Sequence, residues 1–62
     1  MRFQIDNMTC GGCARAVTAA IRGLDPAAMV QADPPARLVE VESERGEAEI
    51  RAALTSAGFP PR

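Results

Sequence analysis

A chain of 62 residues has room for one small domain, and its core is marginal because so short a chain buries only about 60% of its unfolded surface. Seven arginines, no lysines and eight acidic residues give a net charge of −1. This balance argues against nucleic acid as a partner, since phosphate binding needs clustered positive charge. No apolar segment approaches the ~18 residues that span a bilayer, and the first six residues lack the apolar region of a signal peptide. We therefore expect one cytoplasmic domain over residues 1–62, without membrane insertion.

The N-terminal segment alternates between apolar and polar side chains. Residues 1–6 follow a period of two, which predicts a strand with one buried face. Segment 7–12 contains the pair Gly11 and Gly12, which predicts a loop between this strand and the next element.

A first helix is predicted to start near Cys13, where apolar residues begin to recur at spacings of three and four. These residues are Ala14, Val17, Ala20, Ile21 and Leu24. Gly23 is expected to end the helix, and Arg22 lies favourably at the negative end of the helix dipole.

Two further strands and a second helix complete the pattern. Segments 29–33 and 37–43 alternate, and they are close enough to form a hairpin across a Pro-Pro turn. Residues 46–57 predict a helix ended by Gly58, and residues 59–62 form a stub whose two prolines leave few ladder hydrogen bonds. The order strand, helix, strand, strand, helix, stub predicts an α+β two-layer sandwich with two helices on one face of a sheet.

The chemistry of the chain is concentrated in Cys10 and Cys13, its two cysteines, and there is no histidine. A disulfide closing so short a loop would stabilise the fold by only about 2 kcal/mol even in the ideal chain-entropy model. Metal binding or redox chemistry explains the pair better. Two thiolates suit a soft ion that accepts low coordination, such as Cu(I) or Hg(II), whereas structural Zn(II) takes four ligands.

The cysteines lie in a segment that resembles a known motif. Residues 8–13 read Met-Thr-Cys-Gly-Gly-Cys and resemble the Met-x-Cys-x-x-Cys loop of heavy-metal-associated domains. Residues 57–59 read Ala-Gly-Phe and resemble the Ala-Gly-Tyr/Phe that follows the second helix of that family. The family includes bacterial copper chaperones, metal-binding domains of copper-exporting P-type ATPases and mercuric-ion binding proteins. The resemblance covers the whole chain in element order and implies a ferredoxin-like βαββα(β) fold, here with a truncated or missing fourth strand.

The resemblance also implies a carrier rather than an enzyme. We expect one Cu(I) ion, or Hg(II), to be bound by Cys10 and Cys13 and passed to the metal-binding domain of a P-type ATPase by exchange of thiolate ligands. Zn(II) and Cd(II) are disfavoured because no aspartate precedes Cys10, as it often does in relatives that bind those ions. At a helix start, free amides and the dipole favour the thiolate form of Cys13. Cys10 is expected to be more exposed and to meet an incoming ion first.

Five neighbouring residues are expected to support this site. Met8 packs under the loop, as in the family, rather than coordinating the ion. Gly11 and Gly12 let the backbone bend so that both sulfurs face one point. Thr9 either bonds a free amide at the helix start or only fills the loop. Phe59 either shields the ion or is an ordinary core aromatic.

Other interpretations remain open. A small thiol–disulfide reductase is the alternative from another class, since Cys-x-x-Cys beside a strand–helix unit also fits thioredoxin-like chemistry. The chain is short for that fold, and the two glycines give a less fixed dithiol. Arg15 and Arg22 share the outer face of the first helix, where they are either solvated or dock an acidic partner.

Two departures from the family pattern affect the expectations. Asn7 stands where the family usually has glycine, and asparagine tolerates positive φ better than most residues. The second departure is the short stub, which would leave one edge of the first strand uncovered. An uncovered edge invites pairing with another chain. We therefore expect lowered stability and a monomer, or a weak dimer formed through the metal or through residues 2–6.

Overall fold

The computed structural model describes residues 1–9 and 11–62. The elements are β1 (Arg2–Gln4), α1 (Gly11–Leu24), β2 (Met29–Asp33), a 3₁₀ helix (Pro34–Ala36), β3 (Leu38–Glu42) and α2 (Glu47–Ser56). The three strands form one antiparallel sheet in the order β1–β3–β2. The predicted α+β, ferredoxin-like architecture is confirmed. Neither helix is long and apolar enough to cross a membrane, within the part of the chain that the structure describes.

The core lies between the sheet and the two helices because each element has one apolar face. In β3, Val39 and Val41 are buried, whereas Glu40 and Glu42, which alternate with them, are exposed. The helices contribute their apolar stripes from the other side. The buried core residues are Phe3, Ile5, Met8, Val17, Ile21, Ala28, Val39, Val41, Ile50 and Leu54.

Helix α1 is longer at both ends than the sequence predicts. It begins at Gly11 rather than at Cys13, so the predicted loop over 7–12 is wrong for Gly11 and Gly12. It also continues through Gly23, which does not adopt the left-handed conformation that would end it. Complete burial of Val17 and Ile21 stabilises the helix, and this packing outweighs the low helix propensity of the glycines near its ends.

The connection between β2 and β3 is more structured than a simple turn. Pro34–Ala36 form a 3₁₀ helix, and Arg37 follows it in the left-handed region with a φ of 56°. The N–H of Arg37 donates to the carbonyl oxygen of Pro34 at 3.0 Å. As a result β3 begins at Leu38, one residue later than predicted.

Helix α2 ends in a Schellman motif, as the glycine after it suggests. Gly58 has a φ of +91°. Its N–H donates to the carbonyl oxygen of Thr55 at 3.1 Å, and the N–H of Phe59 donates to that of Leu54 at 2.9 Å. This geometry turns the chain back toward β1.

The C-terminal residues lie beside β1. No strand is assigned to them, in agreement with a truncated fourth strand. The N–H of Arg62 nevertheless donates to the carbonyl oxygen of Gln4 at 2.8 Å, and the Arg62 side chain reaches Asp6. The expectation of an uncovered edge on β1 is therefore wrong at Gln4. The residue that follows the two prolines makes one backbone hydrogen bond to this edge, like those between paired strands.

Candidate metal site

Helix α1 positions Cys13 in its first turn, as the third helical residue. The side chain is half-buried and packs against the hydrophobic core. Cys10 lies outside the described residues, so its greater exposure stays a prediction. The free amides of a helix start and the positive end of its dipole favour an anion such as a thiolate at this position.

The residue two positions before Cys10 belongs to the core. Met8 has none of its surface exposed, and its N–H donates to the carbonyl oxygen of Ile5 at 3.1 Å. Both the side chain and the backbone of Met8 therefore fix the segment that leads into the cysteines. This burial is what the packing interpretation of Met8 requires.

The residues nearest the cysteines in sequence are open to solvent. Thr9, Gly11 and Gly12 are all exposed. Gly11 is helical rather than left-handed, and a Cβ atom added there would lie more than 4 Å from every described residue other than its chain neighbour and the backbone of its own helix. Gly11 and Gly12 belong to α1 rather than to a loop, and their role in directing both sulfurs to one point stays a prediction. As far as the described residues show, the surface at Gly11 is open.

The far end of the chain is tied to the segment before Met8. The turn at Asp6 and Asn7 forms without a positive φ at Asn7; among the described residues other than glycine, Arg37 alone has one. The side-chain amide of Asn7 instead donates to the carbonyl oxygen of Gly58 at 3.4 Å. Phe59 follows directly and packs half-buried against the core. Sequence reasoning missed this contact, because nothing in the local pattern pairs residue 7 with residue 58.

Charge is distributed unevenly around the site. Helix α1 contains two arginines and no acidic residue, so its charge is +2. The rest of the chain therefore carries −3, which gives the net charge of −1. Within residues 1–9 and 11–62, Arg15 and Arg22 form no ion pair, whereas four other arginines pair with carboxylates. Arg15 and Arg22 line a shallow depression of about 380 Å³ together with Ala14, Thr18 and Ala19. The exposed face of α1 is thus positive, with Arg15 two residues after Cys13 and Arg22 in the last turn of the helix.

The donors for a metal are few. Among the described residues, no three His, Cys, Asp or Glu side chains are grouped so that they could hold an ion. The Cys-x-x-Cys pair is therefore the donor set to be tested, and two thiolates fit a soft ion bound as cargo.

A ferredoxin-like sandwich with Cys-x-x-Cys around the start of its first helix defines a class of small metal-binding domains. Residues 2–60 match the profile of the heavy-metal-associated domain, and the chain belongs to that family. The resemblance found in the sequence is confirmed.

Several solved structures share the whole fold. A gold-binding protein is 55% identical with a TM-score of 0.98, over 100% of this chain and 95% of its own. The copper chaperone Atx1 from Synechocystis PCC6803 is 34% identical with a TM-score of 0.95, over 100% and 98% of the two chains. Protein Atu1203 from Agrobacterium tumefaciens is 39% identical with a TM-score of 0.90, over 100% and 97%. A comparison with curated protein sequences gave no match.

Proposed function

We propose that this chain, as one unit over residues 1–62, binds a single soft metal ion through Cys10 and Cys13 and carries it to an acceptor protein. The observation that carries the proposal is the placement of Cys13, half-buried in the first turn of α1 and packed against the hydrophobic core. Membership of the heavy-metal-associated family supports the same conclusion.

Two thiolates are enough to hold a soft ion but leave room for a third. An acceptor thiolate can therefore bind the ion before either donor thiolate leaves, so the ion is never released to water. Cys13 is attached to the core through α1 and is the better candidate for the last ligand to leave. Cys10 is the better candidate for the first ligand to exchange. The open surface at Gly11 allows the acceptor to come close.

Cu(I) is the cargo that we propose first, because copper chaperones share the fold over the full chain. Au(I) is a second candidate, favoured by the 55% identity to a gold-binding protein. Both are soft, singly charged ions that two thiolates can hold in a linear site. Hg(II) is a further alternative of the same chemistry, and Zn(II) and Cd(II) are disfavoured because two protein ligands leave their tetrahedral preference unmet.

The acceptor that we propose is the metal-binding domain of a P-type ATPase, reached in the cytoplasm. Arg15 and Arg22, which form no ion pair within residues 1–9 and 11–62, favour an acceptor with an acidic surface beside its own cysteines. Charge attraction would bring the two loops together and speed the encounter more than it would tighten the complex.

An anaerobic competition titration tests the proposal. The reduced protein is titrated with Cu(I), Au(I), Hg(II), Zn(II) and Cd(II) against a chelator of known affinity, alongside Cys10→Ser and Cys13→Ser. We expect one soft ion per chain and a large loss of affinity in each variant. A chain that binds no soft ion but turns over a disulfide substrate would instead establish the thiol–disulfide reductase.

A further inference from the structure

The C-terminal residues make a set of contacts that the metal site does not explain. Residues 58–62 run antiparallel to the segment 4–7: Arg62 bonds Gln4 at one end, and Gly58 bonds Asn7 at the other. Between these ends, Nε of Arg62 lies 2.8 Å from Oδ2 of Asp6. The three contacts together are referred to as the C-terminal clasp.

The clasp is held from the helical layer as well. Nη1 of Arg51 in α2 donates to the main-chain oxygen of Arg62 at 3.0 Å, while its Nε contacts Oε2 of Glu47 at 3.2 Å. The Arg51 guanidinium also lies 5.3 Å from the centroid of the Phe3 ring in β1. Arg62 is thus fixed by β1 and α2, and its side chain is directed at Asp6.

Asp6 and Asn7 form the turn that leads from β1 to the cysteines. Two sets of contacts restrain this turn. The buried side chain of Met8 anchors the residue that follows it, and the clasp holds the side chains of Asp6 and Asn7. The side chain of Met8 is buried in the core, whereas its amide closes the turn of Asp6 and Asn7 by donating to the carbonyl oxygen of Ile5 at 3.1 Å. The clasp consists of exposed contacts, with 69% of the Arg62 side chain and 43% of the Asp6 side chain accessible. Such contacts form and break without unfolding the domain.

We propose that the C-terminal clasp controls how readily the segment before Cys10 opens, and that Arg62 is a positioning residue that acts through Asp6. This inference rests on the proposed function, because an open segment matters when a metal ion has to be passed on. With the clasp closed, the turn of Asp6 and Asn7 is held. With it open, the segment gains freedom and the ion is exchanged faster.

The test compares Arg62→Gln, Asp6→Asn and the double variant with a matched control, Arg45→Gln. Arg45 pairs with Glu49 on α2 at similar exposure, 52% and 53%, and belongs to no part of the clasp. The first measurement is hydrogen exchange of the Met8 amide in the metal-free protein. The second is the rate at which Cu(I) moves from each loaded variant to an isotope-labelled metal-free copy of the wild-type chain.

An exposed ion pair shifts an equilibrium by at most about fivefold. We expect each clasp variant to speed Met8 amide exchange and Cu(I) transfer by roughly two- to fivefold, while Arg45→Gln leaves both rates unchanged. Because the two side chains act as one pair, the double variant should be no faster than either single variant. Rates equal to those of Arg45→Gln, or a double variant whose change is the product of the single changes, would overturn the proposal. Met8 exchange needs no metal, so it still decides the role of the clasp if the chain proves not to bind Cu(I).

Discussion

Replacing Met8 by leucine separates packing from coordination, because leucine fills nearly the same volume but has no sulfur. The Met8 side chain is fully buried among core residues. A volume-conserving exchange in a core costs less than about 1.5 kcal/mol. If the sulfur has no part in metal binding, Met8→Leu should keep the Cu(I) affinity of the wild type.

Truncation to alanine gives the complementary result. Loss of a buried methionine to alanine costs about 2–5 kcal/mol. A domain of this length has a total stability of roughly 3–9 kcal/mol, taking ~0.05–0.15 kcal/mol per residue. Met8→Ala should therefore remove a large part of the stability of the fold, and it loses metal binding through unfolding rather than through a missing ligand.

Urea denaturation of the reduced, metal-free protein measures the stability of both variants, and competition titration measures the Cu(I) affinity of the leucine variant. A tenfold or greater loss of affinity in Met8→Leu, with its stability retained, would show that the sulfur coordinates the ion. A loss of less than about 1 kcal/mol in Met8→Ala would contradict the burial of this side chain.

Three further predictions address the surface of α1 and the turn at its far end. Gly11→Ala and Gly23→Ala each add a Cβ to an exposed helical position with free space, so each should raise stability by up to about 1 kcal/mol in urea denaturation. Only Gly11→Ala should slow the transfer of Cu(I) from a loaded to a metal-free copy of the chain. Equal Cu(I) transfer rates in the two variants would argue against close approach of the acceptor at Gly11. Arg15→Glu should slow transfer to an acceptor with an acidic surface and flatten its dependence on salt; rates that do not change would exclude the docking role. A hydrogen bond from Ser43 lowers the pKa of Asp25. The charged carboxylate therefore stabilises the fold at pH values above the ordinary pKa of an aspartate, about 3.9. This stabilisation is lost as the pH falls through the lowered pKa. Asp25→Asn should flatten the acid limb of a plot of urea midpoint against pH, and an unchanged limb would contradict the linkage.

The layer order of the fold could be predicted because each element has a clear apolar period. The alternation in β3 and the stripe of α2 place Val39, Val41, Ile50 and Leu54 in the core, where the structure has them. Element ends were less predictable. Glycine has low helix propensity, so the pattern excluded Gly11 and Gly23 from α1, whereas burial of the helix face kept both within it.

The surroundings of the proposed site could not be predicted from the sequence. The donor pair stays a prediction, which rests on the spacing of Cys10 and Cys13 and on the family motif. The contacts of Asn7 with Gly58 and of Asp6 with Arg62 join residues more than fifty positions apart. They depend on how the chain returns after α2, past two prolines that carry no N–H. No local pattern contains that information.

Transfer of Cu(I) between two copies of the chain tests the central claim most directly. A Cu(I)-loaded chain is mixed anaerobically with an isotope-labelled, metal-free copy, and arrival of the metal at the labelled copy is followed over time. The proposed exchange of thiolates through a shared intermediate predicts a transfer rate that rises with the concentration of the acceptor copy. A rate that stays constant as the acceptor concentration rises would mean that the ion must first dissociate into water, and would contradict the carrier function proposed for Cys10 and Cys13.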